Sequence, residues 1–176
     1  MNISSQQIII TIISTFIAFY TDIKYGKIFN SITFTTTIIG FCLAIYFYGI
    51  TGLKSSALGL FTGIILYFPL GAFGIVGMGD VKMLGSIGAV CGVDFVLKVF
   101  LITSALGFFH ALIIQYLNYG KNSFMLLYTS FKNGIFIKKN IFKENASSSS
   151  KKYKFLIGID IFIATIIICC LWTMKY

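Results

Sequence analysis

The stretch GIVGMGDVKM, residues 74–83, sets an aspartate and a lysine, Asp80 and Lys82, directly after a long apolar run, with Gly77 and Gly79 around the acid. An ionisable group at the edge of a hydrophobic segment is costly in lipid, so by default it marks a functional position. The meaning of Asp80 depends on what the rest of the chain is.

Of the 176 residues, 57% are apolar and 11% are charged, against about 25% charged in soluble domains. The length suits one domain, and residues 1–176 read as a single integral membrane domain. The net charge is +9, and all 14 basic residues are lysines. Lysine lacks the planar fork that reads guanine, so the basic excess reads as orientation against membrane lipid and not as nucleic-acid binding. Cys42, Cys91, Cys169 and Cys170 form no CxxC pair, and His110 is the single histidine. That is a poor supply for a zinc site, and neither metal nor cofactor is expected. The opening MNISSQQ lacks the basic region of a cleavable signal peptide, so the first apolar run reads as a span.

Working outward from Asp80, six hydrophobic segments emerge: Ile8–Tyr20, Thr33–Ile50, Ala57–Val76, Met83–Val93, Phe95–Tyr116 and Phe155–Trp172. The expected fold is all-α, a polytopic bundle of six transmembrane helices with the N-terminus outside. That orientation puts 11 of the 14 lysines on the cytoplasmic side and leaves Lys54, Lys98 and Lys175 outside, as the positive-inside rule requires. The fourth segment is short for a span. It is rich in small residues (Gly85, Ser86, Gly88, Ala89, Gly92), which suit backbone-to-backbone packing inside a bundle. Residues 118–154 read as a cytoplasmic basic loop. Its GIFIKKNIFK stretch mixes aromatic and basic residues, and is equally readable as a headgroup-binding segment or a solvated linker.

The chain has five acidic residues. Asp22 closes the first segment and Asp80 follows the third. Both segments leave from outside, so both acids arrive at the cytoplasmic boundary. Two carboxyls converging in a partly dry place cannot both ionise cheaply, so one keeps a proton. That is the working state of an aspartic peptidase. The ionised acid takes a proton from water, and the protonated acid polarises the peptide carbonyl. Gly77 and Gly79 then read as positions where the backbone turns sharply and a substrate passes close. Taken singly, each acid has a plainer reading: Asp80 as a helix N-cap, Asp22 as a solvated partner of Lys24.

GMGDVKMLGSIGAVCG (residues 77–92) resembles the GxGD-x-K signature of the type IV prepilin peptidases. The other half of that signature is an aspartate closing the first span, then a basic residue and Ile-Pro-Asn. Here it reads DIKYGKIFN: Asp22, Lys24, Ile28 and Asn30 fit, and Phe29 stands where proline is usual. The resemblance implies that Asp22 and Asp80 are catalytic, with Gly77, Gly79, Lys82, Lys24 and Asn30 in support. It implies a multi-pass protein of the inner (plasma) membrane that cleaves the leader of a prepilin or pseudopilin on the cytoplasmic side. The paired CxxC motifs of the larger, N-methylating members are absent, so the chain is similar to the short, peptidase-only type of tight-adherence pili. In place of the Pro-Tyr-Gly element that opens the last span, KYKFLIGID keeps only Gly158.

Asp160 lies within the last apolar segment and reads either as a tuning or substrate-binding group or as a buried, hydrogen-bonded acid. His110 reads as a hydrogen-bonded bundle residue, Asp94 with Lys98 as a surface pair one turn apart, and Glu144 as balancing the loop lysines. The rival to an intramembrane aspartic endopeptidase is a small ion-coupled transporter with Asp22, Asp80 and Asp160 as a proton relay. No repeat between halves supports it.

Overall fold

A computed structural model describes residues 3–73, 76–119 and 156–173. All elements among them are helices. Helix α1 (Ser5–Tyr25) starts at a capping box. The Gln7 backbone N–H donates to Ser4 Oγ, and the Ser4 N–H donates back to Gln7 Oε1 at 2.9 Å, which satisfies two donors that a helix start leaves open. Gln7 is fully buried because its amide also donates to the carbonyl of Val90 at 2.7 Å. One turn on, Thr11 Oγ1 meets Cys91 Sγ at 3.2 Å. The start of α1 is thereby tied to the end of another helix. At its other end α1 stops on Gly26, whose φ of 63° places it in the left-handed region that favours glycine.

Helix α2 (Asn30–Ala72) carries the second and third apolar segments as two limbs. Helical geometry breaks at Gly49, with φ 58° and ψ −139°. The limbs, 30–48 and 50–72, fold back on each other there, and Gly52 comes so close to the Ala44 carbonyl that no Cβ would fit.

Helix α3 (Met78–Cys91) is the fourth segment and is largely enclosed: 11 of its 14 residues are buried. At 1.5 Å per residue it is ~21 Å long, short of the ~30 Å hydrocarbon layer. Its place inside the bundle reconciles the length with the apolar sequence. The first limb of α2 runs beside it in the same direction, from Asn30 at Lys82 to Gly40 at Ala89. The second limb runs antiparallel, with Gly59 against Gly88, Gly63 against Leu84 and Gly85, and Gly71 against Val81. Ser56 fixes the register by donating to the Ala89 carbonyl.

Because Gly59 and Gly88 are in backbone contact, a side chain at either must separate the helices. Gly59→Leu is expected to destabilise the fold by ~1–3 kcal/mol or more through overpacking. Chemical unfolding in detergent checks this, with the exposed Leu58→Ala as control.

Helix α4 (Val93–Tyr119) buries Phe95, Val96, Val99 and Thr103. Helix α5 (Ile157–Thr173) lies antiparallel to α1: Phe162 stacks on Phe19 at 5.1 Å and tilts against Phe16 at 5.6 Å. At its far end Trp172 meets Phe95 edge-on.

Large apolar side chains stand outward on these helices. Phe34, Tyr46, Phe61 and Leu101 are each at least 60% exposed. Exposed apolar surface on this scale suits lipid and not water. Among the described residues three stretches are long and apolar enough to cross a membrane: α1, α2 and residues Val93–Ile114 of α4. Helix α5 is apolar but has 17 residues. The described residues group into two units, 3–107 with 156–173, and the part of α4 from Phe108 onward. The basic loop 118–154, apart from its first two residues, lies outside the described residues, as do Glu144 and Lys175.

Candidate active site

Antiparallel packing brings four helix ends together. The last turn of α1 carries Asp22, the first residue of α2 is Asn30, the first turn of α3 carries Asp80 and the first turn of α5 carries Asp160. All three aspartates are more than nine-tenths buried, at 6%, 8% and 4% exposure respectively. The charges of Asp22 and Asp160 both act on Asp80, so the three carboxyls form one electrostatic cluster. Residues 58 and 138 positions apart in sequence are thereby neighbours.

Asp22 is held by the opening of α5. The backbone N–H of Gly158 donates to Asp22 Oδ2 at 3.0 Å. A free amide at a helix N-terminus is a ready donor to a carboxylate. The approach also leaves no room: a Cβ at Gly158 would lie 2.6 Å from Oδ2 and 2.9 Å from the Asp22 Cβ. Gly158 was visible in the sequence only as a remnant of a longer element. Its structural role is contact with Asp22.

Asp80 is not an N-cap; Gly77 takes that position and Asp80 is the third residue of the helix. Its Oδ1 is buried without a hydrogen-bond partner among the described residues. Such an atom costs about 1–3 kcal/mol, and a reacting group is one place where that cost is sustained.

The glycines flanking Asp80 serve a different purpose from a sharp turn. Gly77 has φ −67° and ψ 141°, ordinary extended backbone, and Gly79 has no positive φ either. What they provide is space. A Cβ at Gly77 would lie 2.7 Å from Asp80 Oδ2, and one at Gly79 would press on Ile28 at 3.1 Å. Ile28 is buried in that contact, so the 27–29 link packs directly on the start of α3. Phe29, in the position usual for proline, has φ −74°, a value a proline ring also accepts.

The polar residues predicted beside the acids form an exposed rim. Lys82 Nζ donates to Asn30 Oδ1 at 3.0 Å, joining α3 to α2. Lys24 lies over the rings of Tyr20 and Tyr25, with its ammonium 5.7 and 5.4 Å from their centroids. It is therefore turned toward aromatic surface at the end of α1. Asp160 stands closer to its helix start than the sequence suggested, because α5 begins at Ile157 and not at Phe155. Among the described residues no group of histidine, cysteine and acidic side chains has a metal-binding arrangement.

One functional candidate was missed in the sequence. Tyr67, in the second limb of α2, is 3% exposed, and the charges of Asp80 and Asp160 act on its hydroxyl. Nothing in its own stretch, ILYFPLG, distinguishes it from a membrane-facing aromatic residue.

No curated protein and no solved structure matches the chain. The family model of the type IV leader peptidases matches residues 9–112, a region that contains Asp22, Asp80 and Tyr67 and ends before α5. With more than half of its length matched, the chain belongs to the type IV leader peptidase family.

Proposed function

We propose that the protein is an intramembrane aspartic endopeptidase that removes the leader of type IV pilin-like precursors at the cytoplasmic face of the inner membrane. The observation that carries this reading is the burial of Asp22 and Asp80 in one cluster, in a chain of the leader peptidase family. In this mechanism one carboxyl of the pair is ionised and takes a proton from the attacking water. The other donates a hydrogen bond to the scissile carbonyl and then its proton as the tetrahedral intermediate forms. The Gly158 amide keeps Asp22 oriented, Gly77 leaves room for the Asp80 carboxyl, and Gly79 lets Ile28 pack against the start of α3.

The same reading places six spans across the bilayer, with the two limbs of α2 counted separately and the N-terminus outside. The described lysines support it. Lys24, Lys27 and Lys82 share the end that carries the aspartates, while Lys54 and Lys98 lie toward the opposite end, near the Gly49 turn and Trp172. A basic end facing the cytoplasm is the ordinary orientation. The basic rim also suits a scissile site just outside the apolar helix of the substrate.

Incubation of the purified enzyme with a prepilin, followed by mass measurement of the products, tests the activity. A single cut that releases the leader supports it, and an intact substrate rejects it. Proton flux in proteoliposomes without cleavage would favour the transporter instead. Asp160 acts on Asp80 through charge, so Asp160→Asn is expected to lower processing by about one order of magnitude. Full processing by that variant removes Asp160 from the site.

A further inference from the structure

Gly59, Gly63, Tyr67 and Gly71 recur at every fourth position of the second limb of α2 and so lie along one face. The three glycines bring that face against α3, at Gly88, at Leu84–Gly85 and at Val81. Tyr67 interrupts this stripe of small residues with a large side chain. Its position, between the contacts at Leu84 and at Val81, is level with the first turns of α3, where Asp80 stands. The ring leans toward α4 and meets Phe100 edge-on, with centroids 5.3 Å apart.

The ring explains the packing; it does not explain the hydroxyl. Phenylalanine would fill the same volume, and a buried tyrosine oxygen ordinarily has a polar partner. Ser104 of α4 lies beside it, and the carboxyls of Asp80 on α3 and Asp160 on α5 lie within electrostatic reach. Ser104 lies beside the Tyr67 hydroxyl, yet its buried Oγ is not in hydrogen-bond geometry with any described group. Asp80 Oδ1 is buried and unpartnered as well. Buried donors and acceptors are nearly always satisfied, and the Tyr67 hydroxyl is a donor beside one of these orphaned oxygens and within electrostatic reach of the other.

We propose that Tyr67 is a positioning residue of the site: its hydroxyl, steadied by Ser104, hydrogen-bonds to Asp80 Oδ1 directly or through one water. The inference rests on the aspartic peptidase reading of Asp22 and Asp80. The backbone amides of Gly77 and Asp80 serve the Asp80 carboxyl from the helix start, and Oδ1 is the oxygen left for a side-chain donor. The edge-on contact with Phe100 fixes the tyrosine ring, and the ring fixes where the donor points. In a site with little water, a misoriented acid is not corrected by solvent.

The test compares Tyr67→Phe, Ser104→Ala and the double variant in prepilin cleavage, with unfolding in detergent measured alongside. Tyr67→Phe is expected to lower kcat about 10- to 100-fold, the scale of a small misplacement of a reacting group, while KM and the unfolding midpoint stay at wild-type values. Ser104→Ala is expected to lower kcat less, and to add nothing in the Tyr67→Phe background, since both act through one hydrogen-bonded unit. Wild-type kcat in Tyr67→Phe overturns the proposal, as does a rise in KM alone or full additivity in the double variant. If Tyr67→Phe does not fold, Ser104→Ala decides, because it leaves the aromatic contact intact: unchanged kcat there overturns the proposal. Activity retained by Asp80→Asn would instead refute the peptidase reading, whereas inactive aspartate variants beside a fully active Tyr67→Phe would refute this inference alone.

Discussion

Asp22→Asn and Asp80→Asn should each reduce prepilin cleavage by about three orders of magnitude or more, with the protein still folded. General acid–base groups contribute roughly 10²–10⁴ each, and members of a catalytic pair fail as a unit. Asparagine keeps the shape of aspartate and can accept from the Gly158 N–H at Oδ1, so the packing at Asp22 survives the change. On the proposed mechanism, what is lost is the ability to take a proton from water or to give one to the carbonyl. The double variant should be no worse than either single one. Product masses over a time course, with circular dichroism in detergent, check both statements. Cleavage at an unchanged rate by either single variant would eliminate the dyad.

Gly158→Ala is expected to lower cleavage about 100-fold, although it removes no chemical group from the pair. The added methyl would lie 2.6 Å from Asp22 Oδ2 and 3.1 Å from its Cγ, well inside van der Waals contact. Either the Asp22 side chain rotates away or the start of α5 moves off α1, and both break the 3.0 Å bond from the Gly158 amide. A displacement of about 1 Å at a reacting group can cost about 100-fold in rate. The stability loss should be modest by comparison, ~1–3 kcal/mol of overpacking strain, because the helix itself favours alanine over glycine. Assay of kcat next to the unfolding midpoint separates the two effects. Wild-type kcat in Gly158→Ala would mean that α5 does not orient Asp22.

Asp22 and Asp80 could be paired from the chain alone because each interrupts an apolar run at its end, and a six-span reading sends both ends to the same face. The small-residue run in residues 85–92 likewise announced a helix buried among others, and Gly88 against Gly59 is that contact. Tyr67 and Gly158 were not legible in this way. Tyr67 sits among exposed aromatics of the same composition, and only the approach of α3 and α4 separates it from them. Gly77 and Gly79 were legible as special positions, but for another reason. Their backbone is ordinary, and it is the space taken by Asp80 and Ile28 that excludes a side chain.

The motifs around Asp22 and Asp80 carry the family resemblance, and the apolar segments carry the helical class, since both are written in short local stretches of the chain. The partners of those acids were decided by folding: the Gly158 amide on Asp22, and Asp160 and Tyr67 around Asp80. Such partnerships depend on the rotation and depth of one helix against another. Those are set by backbone contacts between glycines on different helices, a property that no single segment carries.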